Sequence, residues 1–130
     1  MPGKTVVSTD KAPGPLGGAP YSQAVVAGGF IFTAGQVAAR PDGSGLAGDT
    51  ISEQTEQVMA NLKAILEAAG SGLDQIVKTT VFMKTLDDFP AMNEVYRRHV
   101  GTSPPARSTI AVAGLPAGAL VEIEAVATVG

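Results

Sequence analysis

The chain contains no cysteine and no tryptophan, and its single histidine is His99. Without thiols there is no disulfide, no thiolate nucleophile and no zinc–thiolate site. One imidazole provides neither a histidine metal cluster nor an evident triad base. Aromatics make up only 5% of the residues and charged side chains 16%, so the core must be filled by Val, Ile, Leu and Ala rather than by rings. Basic residues are few as well. Nine Lys and Arg against twelve Asp and Glu give a net charge of −3 and a pI near 5.0, which offers no bulk attraction to nucleic acid or to an anionic membrane. The start, Met1-Pro2-Gly3-Lys4, lacks the apolar core of a secretory leader. The uncharged stretch from Ala12 to Ala39 is broken by Pro20, Tyr21-Ser22-Gln23, Gly28-Gly29 and Gln36, unlike the roughly 20 apolar residues of a membrane span. The expectation is a soluble, cytoplasmic protein.

What remains is enough for one domain spanning 1–130, with 45% hydrophobic residues to build its core. Thr5–Ser8 reads as a short strand and residues 11–20 as a Pro- and Gly-rich loop. Ser22–Ala27 and Phe30–Val37 are apolar runs joined by Gly28-Gly29, the chemistry of a tight hairpin. Arg40–Asp49 is a polar loop. Thr50-Ile51-Ser52-Glu53 fits a capping box, and Val58, Leu62, Ile65 and Ala69 follow at helical spacing, with Met59 and Leu66 widening the stripe. Gly70 ends that helix. Ile76–Met83 reads as a strand. Asp87 or Asp88 should cap a second helix that turns Phe89, Met92, Val95, Tyr96 and Val100 inward and stops at Gly101. Arg107–Val112 and Leu120–Val129 close the chain as a hairpin-like pair around the Leu115–Ala119 turn. The order predicts an α/β or α+β fold with a sheet and two helices.

Two helices cover one face of a sheet. Ile76–Met83 carries apolar residues on both alternating faces, Ile76 and Phe82 on one and Val77, Val81 and Met83 on the other. A strand of that kind is covered on both sides, so the second face should meet another subunit.

Arg107 is the candidate for chemistry. It follows the diproline Pro104-Pro105 and opens an apolar strand, and no other charge occurs until Glu122. A guanidinium keeps its proton, so an apolar setting is costly unless an anion or a hydrogen-bond partner meets it. A carboxylate-binding role and an Arg107–Glu122 ion pair between strands are the two readings, and spacing alone favours the ion pair. Tyr21, at the mouth of the Pro/Gly loop, is either a ligand wall or an ordinary loop residue. Gly35 inside a strand marks either a close backbone approach to a ligand or another chain, or a bulge. Asn93 lies four residues after Phe89 and three before Tyr96, so its amide needs a partner. Arg97, Arg98 and His99 read as a solvated helix end that suits the C-terminal dipole. Nothing matches a phosphate loop, a dinucleotide fingerprint or a metal motif.

Six segments carry a resemblance in order along nearly the whole chain: Ala19-Pro20-Tyr21-Ser22-Gln23-Ala24, Phe32-Thr33-Ala34-Gly35-Gln36, Ile76-Val77-Lys78-Thr79-Thr80-Val81-Phe82, Phe89-Pro90-Ala91-Met92-Asn93-Glu94-Val95-Tyr96, Pro105-Ala106-Arg107-Ser108 and Val121-Glu122-Ile123-Glu124-Ala125. Together they resemble the RidA/YjgF family of reactive-intermediate (enamine/imine) deaminases. The resemblance implies a chorismate-mutase-like fold, a homotrimer with sites in the clefts between subunits, and no cofactor or metal. It implies hydrolysis of 2-aminoacrylate and related 2-imino acids, products of pyridoxal-phosphate dehydratases, to 2-oxo acids and ammonia, as a 2-iminobutanoate/2-iminopropanoate deaminase. It assigns the substrate carboxylate to Arg107 and the attacking water to Glu122. Tyr21, Gly35, Asn93 and Thr109 fall at its substrate-binding positions. Two departures stand out: Ala34 where serine is frequent, and Thr109 where cysteine is frequent. Rival classes are a non-catalytic carboxylate-binding or chaperone-like module, and a ribonuclease or translation inhibitor, which the acidic balance disfavours.

Overall fold

The computed structural model describes residues 3–130. Eight regular elements follow one another: β1 (Thr5–Val7), β2 (Ala24–Ala27), β3 (Phe30–Thr33), α1 (Ile51–Ala68), β4 (Ile76–Met83), α2 (Phe89–Val100), β5 (Ala106–Ala111) and β6 (Val121–Thr128). The strands form one six-stranded mixed sheet in the order β1-β2-β3-β6-β4-β5. Only β4 and β5 run parallel, joined by the α2 crossover. The α+β class with two helices is as the pattern predicts.

Local chemistry explains the elements. Gly28 and Gly29 both take positive φ, 58° and 83°, as a two-residue turn between right-twisted strands requires. At α1 the Thr50 side chain accepts from the Glu53 N–H, and the Glu53 carboxylate accepts from the Thr50 N–H. Val58, Met59, Leu62, Ile65 and Leu66 are fully buried along α1, each such side chain contributing about 1.5–3 kcal/mol. The start of α2 departs from expectation. Asp88 stands at the N-cap but its side chain makes no capping bond; a 3-10 turn at Leu86–Asp88 leads in, and Thr85 accepts from the Asp87 N–H at 3.1 Å.

The sheet has one buried face, built by Val7, Ala24, Ile31, Ile76, Thr79, Val81, Met83, Val121, Ile123, Ala125 and Ala127 beneath the helices. A β-bulge between Ile76 and Lys78 shifts the phase of β4. This corrects the face assignment read from strict alternation: Ile76 joins Val81 and Met83 inside, and Phe82 lies on the other face. That second face carries Val6, Phe30, Phe32 and Ile110 at 41–58% exposure, with Phe82, Glu122, Glu124 and Val126 between them by register. It is an apolar sheet face without a covering layer in a single chain. No helix among the described residues is long and apolar enough to cross a membrane.

β5 and β6 are not a hairpin. β4 lies between them, because α2 returns the chain parallel to β4 on its outer side and the 112–120 segment then crosses back to β6.

Candidate functional site

Arg107 lies on β5 in register with Thr79 of β4, whose side chain is fully buried on the helix side of the sheet. Side chains of paired residues share a face, so Arg107 points toward α2. There Phe89, Asn93 and Tyr96 form one stripe, spaced four and three residues apart. Arg107 Nη1 donates to Asn93 Oδ1 at 2.7 Å. Its Cζ stands 4.9 Å from the Tyr96 ring centroid and 5.3 Å from that of Phe89, two cation–π contacts of about 0.5–2 kcal/mol each. Tyr96 is fixed in turn by a 2.6 Å hydrogen bond between its hydroxyl and Thr79 Oγ1. Burial pushes its phenol above the usual range, against the opposing effects of the Thr79 bond and the Arg107 charge.

The guanidinium is therefore held by a neutral amide and two rings, and among the described residues no carboxylate pairs with it. Its remaining N–H groups are available to a planar anion. They border a cleft of about 470 Å³ lined by Asn93, Tyr96, Arg97, Val100, Pro105 and Arg107, among others.

Glu122 sits elsewhere. It pairs with Phe82 on β4, three positions along from Thr79, and points to the opposite face of the sheet. The Arg107–Glu122 ion pair that spacing favoured does not form. Burial raises the Glu122 carboxyl above the ordinary value of 4.5, and the like charge of Glu124 adds to the shift.

A bulge makes room for Glu122. β3 pairs with β6 up to Phe32–Val126, and pairing resumes at Gln36–Ile123 with hydrogen bonds of 2.8 and 3.0 Å. Three residues on one strand, Thr33-Ala34-Gly35, thus face two on the other, and the Ala125 N–H left over donates to the Thr33 hydroxyl at 3.0 Å. At Gly35 the bulge reading holds, and the group that approaches its backbone is a side chain of the same chain. It belongs to a bulge, and a Cβ there would lie 2.8 Å from the Glu122 Cδ and overlap its carboxylate.

Around Glu122 a second cleft of about 370 Å³ is lined by Leu16, Tyr21, Ala34, Gly35, Val37 and Pro116, among others. The Tyr21 hydroxyl accepts from the Leu16 N–H at 2.8 Å, fixing the loop that walls this cleft. Gln23, buried, anchors the same loop from below. Its amide nitrogen donates to the carbonyls of Thr9, Ala12 and Pro13, and its oxygen accepts from the Thr9 N–H.

The predicted site residues thus separate into two groups, Arg107 with Asn93 and Glu122 with Tyr21, Gly35 and Ala34. Thr109 lines neither cleft. Its hydroxyl is enclosed and has no hydrogen-bond partner. What it can offer is main chain: β5 is an edge strand, and the bond from the Val112 N–H to the Met83 carbonyl sets an alternation that turns the peptide groups of Arg107 and Thr109 outward. Sequence reasoning took Phe89 and Tyr96 as core residues and missed their hold on Arg107. The signal was the stripe itself, two aromatics flanking an amide that needed a partner. The helix end is less uniform than read, since Arg98 and His99 pair with Glu56 while Arg97 lines the Arg107 cleft.

Comparison with known proteins adds to this geometry. Residues 9–129 match the family model described as endoribonuclease L-PSP. A RutC family protein of Pyrococcus abyssi is 49% identical over 124 residues, covering 95% of this chain and 96% of that one. The 2-iminobutanoate/2-iminopropanoate deaminase of Homo sapiens is 41% identical over 98% of this chain and 91% of its own. The crystal structure of RidA from an Antarctic Psychrobacter superposes with a TM-score of 0.91 at 40% identity, covering 96% of this chain and 99% of that one. Matched by the family model over residues 9–129 and by relatives in sequence and structure over nearly its full length, the chain belongs to the RidA/YjgF family.

Proposed function

We propose that the protein hydrolyses 2-aminoacrylate and related 2-imino acids to 2-oxo acids and ammonia, at sites formed between the subunits of a homotrimer in the cytoplasm. The observation that carries this reading is the un-neutralised Arg107 guanidinium, seated on Asn93, Tyr96 and Phe89 with donors left over. It is built for a carboxylate.

The Glu122 cleft supplies the complementary half. The two lie on opposite faces of one sheet, so one chain cannot close them on a small substrate, whereas neighbouring copies packed through the apolar face can. In such a site Arg107 grips the substrate carboxylate and the outward peptide groups of β5 border it. Glu122 accepts a proton from a water molecule as the water oxygen bonds to the C=N carbon. The imine nitrogen takes a proton from solvent as the C=N π bond opens. The resulting amino alcohol then loses ammonia, Glu122 returning its proton to the departing nitrogen as the C–N bond breaks and the hydroxyl releasing its proton to solvent as the C=O bond forms. The sum is imine plus water to 2-oxo acid plus ammonia. A carboxyl raised above its ordinary range serves both as acceptor and as donor. Imines already hydrolyse in water, so the main contribution of the site is orientation.

Timing 2-oxo acid release from 2-aminoacrylate generated by a serine dehydratase tests the proposal. Wild-type protein accelerates pyruvate release and Arg107→Ala returns it to background; equal rates would overturn the clamp. A non-catalytic carboxylate binder would show Arg107-dependent binding without any acceleration. The family model's endoribonuclease description makes RNA cleavage the further alternative, and an Arg107-independent RNA product would mark it as unrelated to this site.

A further inference from the structure

The Arg107 cleft holds a second cation. Arg97 lines it, four residues after Asn93 and therefore just over one helical turn, about 6 Å, farther along the same ridge of α2. Its neighbours in sequence are already engaged: Arg98 meets Glu56 at 3.6 Å and His99 meets the same carboxylate at 3.0 Å. Among the described residues Arg97 has no such ion pair, and no carboxylate lines the cleft. Two guanidinium groups thus border one cleft of a protein whose net charge is −3.

Charge balance gives the arrangement a meaning. The Glu122 half is lined by one carboxylate and no cation, with Glu124 close enough for its charge to act on Glu122, so both guanidinium groups lie on the Arg107 side of the assembled site. Glu122 must face water and the imine, which leaves both arginines to the substrate. A monocarboxylate answers only Arg107. A substrate with a second anionic group answers both, and bidentate pairing suits guanidinium groups at each end.

We propose that Arg97 is a specificity-determining residue that selects 2-imino acids with a second carboxylate on the side chain, such as those formed by oxidation of acidic amino acids. This rests on the deaminase reading and deepens it. The bland role for Arg97 is to complement the negative end of the α2 dipole, which would affect every ligand alike.

Titration calorimetry with 2-oxoglutarate and 2-oxobutanoate separates these roles, with deamination of imines generated from glutamate and from 2-aminobutanoate by amino-acid oxidases as the second readout. The wild type is expected to bind the dicarboxylate at least tenfold more tightly, and Arg97→Gln to cut that ratio tenfold or more, with a matching fall in the kcat/KM ratio. Arg97→Lys, which keeps the charge and loses the fork, should retain part of the preference. A wild-type ratio near one, or a ratio unmoved by Arg97→Gln, would overturn the proposal while leaving the deaminase reading intact. If Arg107→Ala leaves binding of the monocarboxylate unchanged, the deaminase reading itself fails.

Discussion

Arg107 donates to Asn93 across 2.7 Å, and the acceptor is an amide oxygen where most buried arginines would meet a carboxylate. The distinction decides what the guanidinium can still do. An amide fixes its orientation without neutralising it, so the attraction to an incoming carboxylate survives. Asn93→Asp keeps the shape and the acceptor but adds the missing charge. Binding of a 2-oxo acid by this variant is expected to weaken by about 1.5–3 kcal/mol, the worth of a charge-assisted hydrogen bond, or roughly ten- to a hundredfold in Kd. Thermal stability should hold or rise. A variant that bound as tightly as wild type would show that Arg107 carries no carboxylate.

Gly35 tests the other half. Its φ lies outside the left-handed region, so alanine fits the backbone, but its Cβ would occupy the space of the Glu122 carboxylate. Gly35→Ala should therefore leave folding nearly intact and displace the Glu122 carboxylate. The expected result is a kcat at least about tenfold lower, from misplacement alone, with a melting temperature within a few degrees of wild type. A crystal structure of the variant should show the Glu122 side chain turned away from the bulge.

The acid limb of the pH profile should report Glu122. As a base it must be ionised, and burial first, then Glu124, holds its carboxyl above 4.5. Activity is expected to fall as pH drops through that raised value, and Glu124→Gln, by removing the like charge, should move the limb to lower pH. The effect on stability has the opposite sense. The folded state keeps the Glu122 proton in a range where the unfolded chain has released it, so stability declines as pH rises from 4.5 through the folded value. Glu122→Gln should abolish this decline, which melting curves collected across that range would reveal.

The turn before β6 stores strain beside the Glu122 cleft, which its Pro116 lines. Ala117 is the one residue other than glycine at positive φ among those described, at 57°, a conformation that L side chains adopt at a cost. Ala117→Gly should stabilise the protein, or at least leave it unharmed, the relief of strain offsetting the added freedom of the unfolded chain. Denaturant unfolding checks this, and a loss of more than about 1 kcal/mol would contradict it.

The sequence carried the elements well, because apolar spacing, the Thr50–Glu53 box and the glycine turns act locally. It also carried Arg107, since a lone charge in an apolar strand needs an explanation. What it concealed was three-dimensional order. Two bulges change which side chains share a face: one at Val77 moves Ile76 inward, and one at Thr33–Gly35 opens space for Glu122. Strand order is equally non-local. Arg107 and Glu122 looked like neighbours on consecutive strands, yet β4 separates them. The cradle of Arg107 was hidden for another reason, as aromatics at helical spacing read as core whether or not they also bind a cation.

That separation makes a decisive prediction about assembly. Arg107 faces the helices and Glu122 faces the open side of the sheet, so the proposed site requires Arg107 of one chain and Glu122 of another. Light scattering should give three times the 13.1 kDa chain mass, and Phe32→Lys, which places a charge on the open face, should reduce the mass to that of a single chain and abolish turnover together. Arg107→Ala and Glu122→Gln should each be inactive alone. Unfolded together in equal amounts and refolded, they should regain about a quarter of wild-type activity, because random assortment unites an intact Arg107 with an intact neighbouring Glu122 in that share of sites. A site contained within one chain would give no recovery, since every chain in the mixture lacks one of the two groups.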